Sequence, residues 1–292
     1  MKTFCSVLLT AVMACGLTCC NRAKTTAVTA PDSTRDTTAV TAPACPPVPT
    51  PVPVKSLKFV DSCASVSLCS LKVDFPTGRD SFSMAVARYV SSQLRECCSE
   101  SSSKLRAYKG DMTNGRSMLS YYGKGCMKLL KGDGTCDDPD YSSEFTAELR
   151  KIDDNERYVN YSTQGYIYLG GAHGSSFYYV ATLVKPSGKI LRHTVDSTKV
   201  KQMQPLLRKG VLQYFREMGD NSVTASNLNS SLFIENGIIP LPASTPYLSD
   251  KGLVFTYQQY EIACYAAGMP SFVIPYNKVK PFMTPEARAL IK

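Results

Sequence analysis

Apolar positions change period several times along this chain, and each change marks an element. Leu71-Lys72-Val73-Asp74-Phe75 alternates as a half-buried strand does, and Pro76 ends it. From Ser81 to Cys97 the apolar residues Phe82, Val86, Val90, Leu94 and Cys97 return at helical spacing. A second helix is expected around Ser117 to Leu130, interrupted by glycines. Glu144 to Ile152 and Arg157 to Leu169 read as strands joined at Asp153-Asp154-Asn155, a hairpin signal. Ser176 to Val184 and Lys189 to His193 form another such pair, turning at Pro186-Ser187-Gly188. Val200, Met203, Leu207, Val211, Tyr214 and Met218 line one face of an amphipathic helix, with Asp196 and Ser197 placed to cap it. Gly252 to Tyr260 and Ser271 to Tyr276 read as closing strands, and Thr284-Pro285-Glu286 opens a last helix with Pro in its first turn. Helices grouped between antiparallel hairpins predict an α+β fold, in two sub-domains packed from hairpins and a few amphipathic helices.

The first fifty residues follow none of these periods. Lys2 precedes an apolar run from Phe4 to Cys15 that is shorter than the ~20 residues a bilayer span needs, the pattern of a secretory signal. Val12-Met13-Ala14-Cys15 and Leu17-Thr18-Cys19-Cys20 both resemble a bacterial lipobox, so Cys15 or Cys20 is the expected lipidation site. Diacylation there would hold the chain on a membrane, at about 0.8 kcal/mol per buried methylene. Residues 21–55 are rich in Thr, Ala and Pro and too poor in large apolar side chains to offset chain entropy, so they are expected to be a disordered tether. Thr-Thr-Ala-Val-Thr-Ala-Pro occurs twice, at Thr25–Pro31 and Thr37–Pro43, as duplicated spacer. Fully extended as polyproline at ~3.1 Å per residue, the tether reaches on the order of 100 Å. The expected organisation is a signal and lipobox over 1–20, a tether over 21–55, an N-terminal companion sub-domain over 56–165 and a C-terminal sub-domain over 166–292.

Composition adds two constraints. The 292 residues carry a formal charge of +9, and the basic side chains are scattered; with export expected, no nucleic-acid partner follows from them. Twelve cysteines are many for this length, and in an oxidising envelope one or two disulfides are expected, with Cys126 and Cys136 flanking a Gly-rich loop as the local pair. No C-x-x-C pair is present and His173 and His193 are the only histidines, so neither a metal nor a cofactor is expected.

Candidate chemistry is sparse. His173 sits in Gly170-Gly171-Ala172-His173-Gly174, a loop that turns sharply and brings an imidazole to a surface. It fits a ligand-binding histidine, and equally one that locks a hairpin turn. No G-x-S-x-G elbow or H-E-x-x-H pair is present, and nothing in the spacing of Asp74, Glu235 and Glu261 recommends them as paired acids, so no residue is assigned a catalytic role. Tyr158, Tyr161, Tyr166, Tyr168, Tyr178 and Tyr179 lie on the central hairpins, either as a recognition surface or as half-buried strand residues.

Three segments in order carry a family resemblance: Gly170-Gly171-Ala172-His173-Gly174, then Phe255-Thr256-Tyr257-Gln258-Gln259-Tyr260-Glu261-Ile262-Ala263-Cys264-Tyr265-Ala266-Ala267-Gly268, then Val273-Ile274-Pro275-Tyr276. Their spacing resembles the RsiV-type extracytoplasmic domain, and the stretch from Leu71 to Cys97 is similar to the companion domain that precedes it. The name-giving members are anti-sigma factors whose outer domain binds lysozyme; others carry the domain beside a peptidoglycan deacetylase. The resemblance implies an α+β fold and a sensing or wall-associated binding role. Cys264 replaces a proline expected in the Tyr-Glu-Ile-Ala-x-Tyr run, and net positive charge opposes a basic lysozyme unless a local acidic patch overcomes it. The expected function is an exported, lipid-anchored module at the periplasm or cell surface that binds lysozyme or peptidoglycan fragments. Its candidate ligand-binding residues are Gly171, His173, Gly174, Tyr260, Glu261 and Tyr265, with Glu261 bonding His173 or clamping the loop. An envelope hydrolase acting on a wall glycan or ester, and a structural spacer, are the alternatives.

Overall fold

The computed structural model describes residues 50–63, 67–99, 105–131 and 142–291. Cys15, Cys20, Cys136 and all but the last residues of the expected tether lie outside them. The described residues belong to one compact unit, Val48–Lys292, and no helix among them is long and apolar enough to cross a membrane.

Strands β1 (Val54–Cys63), β2 (Ser67–Pro76), β3 (Ser143–Asp154), β4 (Tyr158–Tyr168), β5 (Ser175–Val184) and β6 (Lys189–Ile190) form one sheet in sequence order. All neighbours are antiparallel except β2 and β3, which run parallel because helices α1 (Ser81–Cys97) and α2 (Gly115–Lys131) cross between them. β1 was not foreseen: Lys55, Lys58 and Asp61 break its apolar alternation, as suits an edge strand. α1 occupies the expected residues. Asp80 caps it by accepting hydrogen bonds from the backbone N–H of Phe82 and Ser83, at 3.0 and 2.9 Å. Burial works against the Asp80 carboxylate, but the Ser83 hydroxyl and these N–H groups prevail and hold its pKa below the usual range. Asp80→Ala is expected to lower stability by about 1 kcal/mol in chemical denaturation. In the native-sequence protein that increment is present above the unfolded carboxylate pKa and disappears as pH falls through the folded value.

α2 is continuous through its glycines. A Cβ at Gly123 would lie 2.3 Å from the Phe59 ring, so this glycine lets the helix settle directly on β1. The expected Cys126–Cys136 bridge is corrected here: Cys126 is a buried free thiol, as are Cys69 and Cys98, while Cys97 and Cys264 are free thiols with more exposure. Cys126 packs in the helix–sheet core, and Cys136 lies outside the described residues.

The sheet has two unlike faces. Leu71, Val73, Phe145, Ala147, Leu149, Val159, Tyr161 and Leu183 join α1 and α2 in one hydrophobic cluster. The opposite face meets a C-terminal layer built from α3 (Val200–Glu217), α4 (Leu228–Ser231), the sheet β7 (Tyr247–Leu248), β8 (Leu253–Thr256) and β9 (Ser271–Ile274), and short helices α5 (Tyr276–Val279) and α6 (Pro285–Ala289). Met203, Leu207, Val211 and Phe215 of α3 pack with Phe255, Phe272 and Ile274 in a second cluster that also takes in Tyr158 of β4. Asn160 Nδ2 donates to the Leu248 carbonyl at 2.7 Å and Asn160 Oδ1 accepts from Thr182 Oγ1 at 2.7 Å, tying the two layers. These two clusters realise the α+β fold, and the expected junction at 165 and 166 falls within β4.

Coverage on this second face is partial. Tyr158 to Thr163 are buried, whereas Gln164 to Tyr168 are exposed or half-buried. The C-terminal layer therefore leaves the outer half of the sheet open, and the candidate residues gather at that margin.

Candidate functional site: an aromatic tip beside the open sheet face

The loop from β4 to β5 reverses through Gly170 and Gly171, with φ of 84° and 93°, values that favour glycine. The Tyr168 hydroxyl fixes it by donating to the Gly171 carbonyl at 3.0 Å. Gly174 is buried where a Cβ would meet the Tyr166 ring at 2.3 Å. His173 is thereby held outward and exposed, its Nδ1 2.9 Å from the Gly174 carbonyl.

The facing loop, 257–268, is built on buried anchors. Tyr257 and Ile262 are fully buried, and the Tyr257 hydroxyl donates to the Pro240 carbonyl at 2.7 Å. Glu261 accepts from the backbone N–H of Ala243 at 2.6 Å and of Gln258 at 2.7 Å. Both carboxylate oxygens are thus used by backbone, so of the two roles expected for Glu261 it clamps its own loop and makes no hydrogen bond to His173. Burial raises the Glu261 pKa against the opposing pull of those two N–H groups. The associated stability is complete below the unfolded carboxylate pKa and declines as pH rises through the raised folded value. Glu261→Gln keeps one acceptor but aims an NH₂ at a backbone N–H. It is expected to cost about 1–3 kcal/mol and to abolish this pH dependence, readable as Tm against pH.

This clamp presents two tyrosines to His173. The Tyr265 ring stacks on the imidazole at 4.0 Å between centroids and 25° between planes. Tyr260 lies 6.5 Å from the imidazole and 5.7 Å from Tyr265, its hydroxyl 3.4 Å from His173 Nε2. Tyr260 has φ of +65° and is 53% exposed, a left-handed conformation that is rare for an aromatic residue and costs about 1–3 kcal/mol. Gly268, with φ of 68°, closes the segment after a short 3₁₀ turn at Tyr265–Ala267, and Tyr214 of α3 donates to the Ala267 carbonyl at 2.7 Å. All six candidate residues therefore fall in two adjoining loops: His173, Tyr260 and Tyr265 form the surface, and Gly171, Gly174 and Glu261 shape it.

Three participants gave no sequence signal of their role. Gln258 lines up along the free edge of β5, Oε1 accepting from Tyr178 N at 3.1 Å and Nε2 donating to Tyr178 O at 2.6 Å. Gln259 Oε1 accepts from Ser176 N at 2.8 Å. Together they act as a side-chain strand that closes this edge. Phe233, 61% exposed, is bound to the same loop through its N–H to the Ile262 carbonyl at 2.8 Å.

The chemistry available here is contact chemistry. Among the described residues no group of three His, Cys, Asp or Glu side chains is placed to hold a metal. Asp74 accepts from Ser56 Oγ and Lys151 N within the sheet, while Glu261 is committed to its loop, so these acids serve separate partners. Of the hairpin tyrosines, Tyr158 and Tyr161 are buried and Tyr179 bonds Cys97 on the helix side; Tyr166, Tyr168 and Tyr178 occupy the other face.

Comparison with known proteins places these loops in a wider setting. No curated protein matches the chain. A DUF3298 family protein from Pseudomonas aeruginosa PAO1 is similar in structure, with a TM-score of 0.50 and 14% identity, covering 80% of this chain and 96% of that one. A DUF3298 member from Bacteroides fragilis NCTC 9343 is similar with a TM-score of 0.53 and 17% identity, covering 79% and 94%. At such identities the likeness is one of fold. Residues 194–277, which include Tyr260, Glu261 and Tyr265 but not His173, match the family model described as a protein of unknown function, DUF3298.

Proposed function

We propose that the protein is an exported envelope module, lipid-anchored through Cys15 or Cys20, that binds a partner through the His173–Tyr260–Tyr265 tip. The observation that carries this reading is the exposed, stacked aromatic cluster with Tyr260 in a left-handed conformation beside the half-buried Glu261 carboxylate clamp. Strain of that kind persists where the surrounding structure over-determines it, and here it serves to present a ring to solvent. Rigid tyrosines supply large contact area at low entropy cost.

The resemblance to the RsiV-type domain suggests a lysozyme as partner, with peptidoglycan fragments as the alternative ligand. Both fit a module tethered at the periplasmic or outer surface. Hydrolysis is less well supported: His173 stacks on Tyr265, and no hydrogen bond joins it to Cys264 or to an acid among the described residues. Immobilised protein is expected to retain lysozyme from solution at low and physiological salt, and Tyr265→Ala is expected to abolish retention. Retention unchanged by Tyr265→Ala would remove the tip from consideration.

A further inference from the structure

The open half of the sheet's second face is not accounted for by the tip. Four strands contribute to it in register. One row runs Ser70, Thr146, Tyr166, Ser176, and the next runs Lys72, Glu148, Gln164, Tyr178. Four strands at about 4.8 Å give a width of roughly 14 Å, and the rows lie roughly 7 Å apart. Met269, from the C-terminal layer, walls one side, and the open groove measures about 520 Å³.

The groups in it are organised. Glu148 is half-buried and oriented from three sides: Gln164 Nε2 donates to it at 2.9 Å, Arg150 Nε lies 3.3 Å away and Lys72 Nζ 3.9 Å away. Tyr178 is fixed at its backbone by Gln258, whose Oε1 accepts from the Tyr178 N–H and whose Nε2 donates to the Tyr178 carbonyl. The groove thus offers hydroxyl, carboxylate, carboxamide and ammonium groups at spaced positions, flanked by a tyrosine and a thioether.

We propose that this groove is a saccharide-binding site, taking a short neutral or N-acetylated oligosaccharide laid across β2 to β5. Sugar hydroxyls both donate and accept, as the mixture of Glu148, Gln164, Lys72 and the row of hydroxyls requires. The C–H faces of a pyranose suit Tyr178 and Met269. An extended peptide is a poorer fit, because peptides recognised by sheets pair with free backbone edges. Here β2 to β4 are paired on both sides, and the edge of β5 at Ser176 and Tyr178 is already occupied by Gln259 and Gln258.

The site is separate from the tip and its test is independent. The full chain is titrated calorimetrically with a β-1,4-linked N-acetylglucosamine oligomer, with a β-1,4-linked glucose oligomer and with an unrelated extended peptide. Saturable binding of an oligomer is expected, weakened at least about tenfold by Gln164→Ala, which deletes a hydrogen-bonding carboxamide, and by Glu148→Gln, which removes the charge that strengthens the acceptor. Lys201→Ala, on the exposed side of α3, leaves it unchanged. Circular dichroism of each variant verifies folding. Absence of saturable oligomer binding, or binding indifferent to both groove variants, overturns the proposal. Peptide binding that depends on Gln164 in the absence of oligomer binding overturns it in favour of a peptide groove. Oligomer binding that survives while lysozyme retention fails leaves the groove standing and removes only the tip reading.

Discussion

Replacing Asp154, the last residue of β3 and buried at its side chain, with alanine is expected to lower the free energy of unfolding by about 3–5 kcal/mol. Lys185 is the reason. Its side chain is 2% exposed and its Nζ donates to Asp154 Oδ1 at 2.7 Å and to Thr50 Oγ1 at 2.9 Å. The other carboxylate oxygen of Asp154 accepts from Lys151 Nζ at 2.8 Å and from the Val52 N–H at 2.6 Å. Lys151 in turn donates to the Val52 carbonyl at 2.7 Å. One carboxylate thus compensates a buried ammonium, a second ammonium and the backbone where the chain enters the fold. Alanine removes all three contacts and leaves the Lys185 charge in a low-dielectric site. Asp154→Asn keeps the volume but not the charge, so it too is expected to be destabilising. Urea unfolding monitored by tyrosine fluorescence reads both. A loss below about 1 kcal/mol for Asp154→Ala would mean that the triad behaves as an ordinary exposed ion pair.

The second large effect concerns recognition. Tyr265→Ala is expected to weaken partner binding by about 2 kcal/mol or more, roughly thirtyfold, the scale of an interface hot spot. Tyr265 stacks on His173 at 4.0 Å, so its removal frees the imidazole as well as deleting a ring. Tyr260→Ala has a divided outcome. Alanine relieves none of the positive φ and removes the exposed ring, so binding falls while stability changes little. His173→Ala separates two roles for the imidazole. Lost binding with retained stability places His173 in the contact; lost stability with retained binding leaves it as a clamp of the 169–174 turn.

Much of this fold was legible because the local signals agreed with one another. The helix over Ser81–Cys97, the turn at Pro186-Ser187-Gly188 and the Thr284 cap of α6 each combine period with a cap or breaker. β1 escaped because an edge strand need not alternate cleanly. α2 looked interrupted because Gly123 weakens a helix in isolation, and only its contact with Phe59 explains the residue. Cys126 was expected to bridge across the following loop to Cys136 because sequence spacing reveals nothing of its direction, which is inward.

The site was half legible. Glycines around His173 and the run from Tyr260 to Tyr265 marked two loops, and the structure brings both to one margin. What joins them was not legible. Glu261 reads as a candidate acid, but its partners are two backbone N–H groups, one of them eighteen residues upstream at Ala243. Gln258 and Gln259 read as bland polar residues until β5 supplies the open edge they close. The groove residues Lys72, Glu148 and Gln164 lie on three different strands, and only register brings them into one row.

The central claim is that the aromatic tip binds a partner while the rest of the molecule displays it. Equilibrium titration of a lysozyme against the native-sequence protein and the Tyr265→Ala variant, each with its Tm recorded, tests that most directly. Saturable binding by the first, a loss of about thirtyfold or more in the second, and matching Tm values are the expected result. Equal affinity for both proteins, or no saturable binding by either, would contradict it.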